Sequence, residues 1–128
     1  MSANHAAWVR LCDVDDLPEI GARGFNLSGR EGDIVFVVRK NDVLRGYKNS
    51  CPHWPGASLP WRKNAYLDAG GTFIICNGHG ARFEIETGLC VVGPCQGLSL
   101  TSIPLRVDRR TFVWADVSAL DLHDTSQR

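Results

Sequence analysis

Two short motifs constrain the fold of this chain more than anything else in it: Cys51-Pro-His53 and Cys76-Asn-Gly-His79. Each pairs a cysteine with a histidine two or three residues on, and each sits in a turn-rich loop after a strand-like stretch. Thiolate and imidazole are the donors that soft and borderline metals prefer. Two pairs make four donors, the number needed by one tetrahedral zinc ion or by one [2Fe-2S] cluster. A chain that uses them together must bring two loops, separated by twenty-two residues, to one point. Only four histidines are present, and the other two, His5 and His123, lie in the terminal segments. Ordinary loop histidines beside buried cysteines are the plain alternative. They would not explain why both internal histidines fall inside matched pairs.

The rest of the chain supplies strands to carry those loops. No sustained period of 3.6 residues appears, so a long amphipathic helix is not expected. Ile34–Arg39 is β-branched almost throughout and bounded by turn residues, which predicts a strand. Lys40-Asn-Asp42 then turns the chain into Val43–Lys48, a β-hairpin. Trp8–Cys12 and Gly24–Ser28 are shorter candidates, separated by the acidic turn Asp13–Asp16. Thr72–Cys76 and Arg82–Glu86 form a second predicted hairpin around Asn77-Gly-His-Gly80. Leu100–Val107 and Thr111–Asp116 form a third, turning at Asp108-Arg-Arg110. Val117–His123 could make a helical turn, and the tail Asp124–Arg128 is polar. The fold class expected is all-β, built from small antiparallel sheets.

Composition narrows the function. At 128 residues the chain has the length of one domain. Fourteen basic residues balance fourteen acidic ones, which argues against nucleic acid as a partner, because such proteins carry a basic excess. No basic segment followed by an apolar run opens the chain, so no signal peptide is expected. The apolar runs are too short for a membrane span. A cytoplasmic protein without membrane partners is the expectation. An odd count of five cysteines fits a secreted disulfide framework poorly.

The two motifs and the residues after them resemble the Rieske-type [2Fe-2S] ferredoxin family. The family signature is C-x-H, a connecting segment, then C-x-x-H-G, an aromatic residue and a Gly-Pro turn. Here it is matched by Cys51-Pro-His53, Cys76-Asn-Gly-His-Gly80, Phe83, Gly88 and Gly93-Pro94. The likeness is strongest from about Asn49 to about Cys95. It implies a Rieske-like fold of small antiparallel sheets over residues 1–128. A cluster-binding subdomain formed by loops would occupy about 49–95, and a polar tail about 118–128. Carried over by position, Cys51 and Cys76 would bind one iron of a Rieske-type [2Fe-2S] cluster, and His53 and His79 the other. Trp54, Gly78, Gly80, Ala81 and Phe83 would border it, with Gly93-Pro94 covering its third side. The connecting segment is longer than in compact dioxygenase ferredoxins, with the extra length at Pro60-Trp-Arg-Lys-Asn64.

The resemblance also implies a redox range. Respiratory relatives bridge their two loops with a disulfide and hydrogen-bond sulfur through a serine and a tyrosine. Trp54-Pro-Gly56 and Gly78 stand where those cysteines would be, and Ala81 and Phe83 where those hydroxyls would be. Fewer hydrogen bonds to sulfur disfavour the reduced state, so a potential near the low end of the Rieske range is expected. Cys12 reads as a small buried hydrophobe. Cys90 and Cys95 flank Gly93-Pro94, spaced for a disulfide, for extra ligation, or for packing beside the cluster. Trp54 and Trp61 would shield the cluster, meet a partner or pack in the core.

No Rossmann glycine fingerprint is present, and no length remains for a further catalytic iron domain. The function expected is a soluble electron carrier and not itself an enzyme, with a ferredoxin reductase and a terminal oxygenase or other redox enzyme as partners. A small Rieske subunit of a larger enzyme, such as a nitrite reductase, is the alternative. A zinc-stabilised interaction module is the third reading.

Overall fold

The computed structural model describes residues 7–27, 32–52, 54, 57–60, 62–78, 80–118 and 120. Among them the chain forms ten strands: β1 Trp8–Asp13, β2 Ile20–Phe25, β3 Val35–Lys40, β4 Val43–Lys48, β5 Phe73–Cys76, β6 Ala81–Glu84, β7 Cys90–Val92, β8 Ser102–Ile103, β9 Leu105–Val107 and β10 Phe112–Asp116. A 3-10 turn at Val14–Asp16 comes after β1, capped reciprocally by Asp13 and Asp16. The strands make three antiparallel sheets, in the orders β1-β10-β9, β2-β3-β4-β8 and β5-β6-β7. The chain is therefore all-β, as its sequence predicts.

The central strand shows why the first four positions of β3 are all apolar, rather than alternate ones. Val35 and Val37 point into one buried cluster, shared with Val113 and Ala115 of β10. Phe36 and Val38 point into a second, shared with Ile74 and Phe83 of β5 and β6. All four are at most 1% exposed, so β3 is covered on both faces over residues 35–38 and carries no polar alternation there. Phe36 stacks on Tyr66 with ring centroids 4.1 Å apart. The Tyr47 hydroxyl donates to Ile85 O at 2.6 Å and ties β4 to the turn that follows β6.

The structure corrects several expected boundaries. The second strand runs Ile20–Phe25 rather than Gly24–Ser28. Its two glycines depress strand character locally, yet they answer to distant neighbours. A Cβ on Gly24 would stand 2.0 Å from Asp33 Oδ2 and 2.5 Å from the Tyr66 hydroxyl. The Arg82–Glu86 expectation becomes Ala81–Glu84, paired on its other edge with the unexpected β7. The predicted strand Leu100–Val107 is two strands in two sheets: β8 pairs with β4 and β9 with β10. Pro104 separates them, having no N–H to continue a ladder. Val117–His123 falls largely outside the described residues, as does the tail. Among the described residues no helix is long and apolar enough to cross a membrane.

Candidate metal centre

The first loop leaves β4 at Lys48, and one amide side chain joins its two ends. Asn49 is buried at 9% exposure. Its Nδ2 donates to Asp33 O at 3.1 Å and to Ser58 Oγ at 2.9 Å, while its Oδ1 accepts from Leu59 N–H at 2.9 Å. One side chain thus joins the start of the loop to its return. Between them, Cys51 N–H donates to Ala57 O, Trp54 N–H to Cys51 O and Ala57 N–H to Trp54 O. Cys51 is fully buried at the inner end of this loop. Trp54 is 63% exposed on its outer side.

The second loop is the turn of the β5–β6 hairpin. Cys76 is the last residue of β5 and pairs with Ala81, the first of β6. Gly80 N–H donates to Cys76 O at 2.9 Å and closes the loop. Asn77 N–H donates to Leu59 O at 2.9 Å, a direct bond from the second loop to the first. Cys51 and Cys76 lie in the same buried cluster, with Ala81, Phe83, Cys90 and Cys95. The Gly93-Pro94 turn backs onto this site. A Cβ on Gly93 would approach Ala81 Cα to 2.8 Å, and the residue has φ +107°, so only glycine allows the turn to lie this close.

The polar surroundings extend from the first loop to the connecting segment. Lys63 Nζ lies 2.7 Å from Asp33 Oδ1, and the Tyr66 hydroxyl donates to Asp33 Oδ2 at 3.1 Å. Burial, with the Asp33 carboxylate beside it, pushes the Tyr66 hydroxyl far above its ordinary pKa. Arg82 pairs with Asp68 at 3.2 Å. Burial works to raise the Asp68 carboxyl, but the Phe73 and Thr72 N–H groups and the Arg82 guanidinium hold it below the usual value. Burial, then a hydrogen bond to Cys90, keeps the Cys95 thiol protonated well above the ordinary range.

The structure therefore brings together Cys51, Cys76, Ala81, Phe83 and the Gly93-Pro94 turn, and puts Trp54 on the rim. His53, His79, Trp61 and the Pro55-Gly56 part of the first loop lie outside the described residues. Among the described residues no group of three or more Cys, His, Asp or Glu side chains converges as a metal site. The donors that are described suit a thiolate-binding group: two buried cysteines at the inner ends of two hydrogen-bonded loops. Cys90 and Cys95 remain thiols. Sequence reasoning missed Asn49, Asp33 and Tyr66. Nothing local to Asn49 marks its role, because its partners sit up to sixteen residues away.

The family model for the Rieske [2Fe-2S] domain matches residues 7–104. The chain belongs to that family. Its cofactor is accordingly a Rieske-type [2Fe-2S] cluster. Solved Rieske structures share the fold. The ferredoxin of carbazole 1,9a-dioxygenase from Nocardioides aromaticivorans IC177 is 28% identical, with a TM-score of 0.66 over 87% of this chain and 98% of that one. A complex of reduced oxygenase and oxidized ferredoxin in carbazole 1,9a-dioxygenase gives 25% identity and a TM-score of 0.66 over 88% and 94%. A Sphingomonas yanoikuyae B1 ferredoxin shares the fold at 23% identity, with a TM-score of 0.63 over 86% and 98%. No curated protein matches the chain closely enough in sequence to count as a relative.

Proposed function

We propose that the chain is a soluble single-electron carrier between a ferredoxin reductase and a terminal oxygenase, with its cluster held by Cys51 and Cys76 on one iron and His53 and His79 on the other. The observation that carries this is the meeting of two buried cysteines, each at the inner end of its own loop, in one apolar cluster. When bound, the cluster supplies a one-electron couple. The chain's own residues do the rest. Asn49 and the Asn77-to-Leu59 bond fix the two loops relative to each other. Ala81 and Phe83 exclude water from the cysteine side and offer no hydroxyl to sulfur. Trp54 projects from the rim, where a transient partner would meet it. An oxygenase as partner is supported by the similar ferredoxin found in complex with its oxygenase.

The decisive measurement is the EPR spectrum of the dithionite-reduced protein, with metal and sulfide analysis. About two irons and two acid-labile sulfides per chain are expected. One zinc in a colourless protein would overturn the cluster assignment. The carrier role is tested by turnover of an oxygenase with its reductase and substoichiometric amounts of this chain. Multiple turnovers support a diffusing carrier, whose contacts bury little surface and release quickly. Turnover only at one-to-one stoichiometry would show a fixed subunit instead.

A further inference from the structure

Two thiols outside the proposed ligand set are brought face to face by the fold. Cys90 opens β7, and Cys95 comes just after the Gly93-Pro94 turn. Backbone bonds fold this segment back on itself: Cys90 N–H donates to Leu98 O at 2.8 Å, Gly97 N–H to Cys90 O at 3.2 Å, and Leu98 N–H to Cys95 O at 2.8 Å. The Cys95 thiol consequently donates to Cys90 Sγ at 2.7 Å, and Cys90 Sγ lies 3.3 Å from Val92 O. Sulfur atoms at that separation are well inside van der Waals contact and within about 0.7 Å of the covalent S–S length of about 2.05 Å. Packing would require only small apolar side chains here. It does not require that both be thiols, or that the two sulfurs converge.

We infer that Cys90 and Cys95 form a reversible dithiol–disulfide site beneath the Gly93-Pro94 turn, oxidised by peroxide. One sulfur, on losing its proton, attacks a peroxide oxygen; an S–O bond forms as the O–O bond breaks, and the departing hydroxide takes the proton, giving a sulfenic acid and water. The second sulfur then displaces the hydroxyl as a second water and closes the S–S bond. Two thiols and one hydrogen peroxide thus yield one disulfide and two waters, with two electrons passing from sulfur to oxygen. A dithiol reductant reopens the bond by exchange. Both cysteines are only 1% exposed, and the adjoining turn residues Gly93, Pro94, Gln96 and Gly97 face solvent. Closing the bond fastens that turn to β7 where Gly93 rests on Ala81. The inference stands on the thiol pair and does not depend on which residues bind metal.

Trypsin isolates the pair. Cleavage after Arg82 and Arg106 releases fragment 83–106, which contains Cys90 and Cys95 and no other cysteine. The full-length, cluster-loaded protein is treated with hydrogen peroxide or with dithiothreitol. It is then denatured in acid, brought to mildly alkaline pH in denaturant with iodoacetamide already present, and digested, with visible absorption of the treated protein recorded first. After dithiothreitol, fragment 83–106 should carry two alkyl groups. After peroxide it should carry none, be lighter by two hydrogens, and regain both groups when reduced before alkylation. Two alkyl groups after peroxide would overturn the inference. So would sulfinic or sulfonic acid in place of the bridge, or Cys95 joined to fragment 49–62 through Cys51. Loss of the cluster spectrum alone touches only the cluster reading, because the fragment reports on the pair either way.

Discussion

Phe83 shares its buried surroundings with the two proposed cysteine ligands. It is fully buried in the hydrophobic cluster that holds Cys51, Cys76, Cys90 and Cys95, so a hydroxyl added there would be shielded from water. In this family a donor to sulfur stabilises the reduced, more negative state. A hydrogen bond of about 1–1.4 kcal/mol corresponds to roughly 40–60 mV for a one-electron couple. Phe83→Tyr should therefore raise the midpoint by that amount from a wild-type value near the low end of the Rieske range, roughly −150 mV. Voltammetry that finds an unchanged or lower midpoint would refute this account of Phe83. Asn49 acts at the same scale through geometry. Asn49→Ala leaves the buried Leu59 N–H without its acceptor and removes the donor to Asp33 O. A cost of about 1–3 kcal/mol is expected, read as a lower urea midpoint together with faster cluster loss to a chelator. A lower midpoint with unchanged cluster loss would mean that Asn49 supports the fold but not the loop.

Among the elements, the turn carrying Gly93 makes the sharpest prediction. A methyl there meets Ala81 Cα at 2.8 Å, which is backbone and cannot swing aside. Gly93→Ala also strains a positive φ, costing on the order of 1–3 kcal/mol. The turn should lift from the second loop, and visible absorption should decay faster in air than in wild type. Gly97→Ala is the control: its φ is also positive, but nothing lies within 4 Å of its Cβ. Equal decay in the two variants would show that strain, and not contact with Ala81, is what matters. The sequence disclosed elements whose cause is local. The β3–β4 hairpin was legible because a β-branched run met a turn. The two cysteine loops were legible because their chemistry is packed into three or four residues each. What remained hidden depends on distant partners. Gly24 is required by Tyr66 and Asp33, and the β8–β9 break at Pro104 belongs to two sheets that neither strand announces. Asn49 shows no local sign of its role until Leu59 and Asp33 are folded against it.

Across the whole molecule, the titratable groups define a stability window with two different edges. Asp108 is lowered by the Trp114 indole N–H and by backbone N–H groups, and Asp116 by the Ala7 and Ser118 N–H groups. Asp68 is lowered too, its burial outweighed by the Phe73 and Thr72 N–H groups and by Arg82. A carboxylate with a depressed folded pKa stabilises fully above its unfolded value, about 3.9, and that contribution is lost as pH falls through the folded value. On the alkaline side, burial pushes Cys12 up to about 11 and Tyr47 up to about 12, and it raises Tyr66 further. These groups are neutral when protonated. The unfolded chain therefore releases their protons first, and stability falls as pH rises beyond the unfolded values of about 8.5 for Cys and 10 for Tyr. The urea midpoint should be flat near neutrality and decline on both sides. Tyr66→Phe separates the contributions. It removes the hydroxyl bond to Asp33, costing about 1 kcal/mol at neutral pH. It also removes one titrating group, so above pH of about 10 the variant should lose stability less steeply, by about 1.4 kcal/mol per pH unit. If the alkaline slopes of the two proteins coincide, Tyr66 is not the group that limits the fold in base, and Tyr47 or Cys12 carries that edge instead.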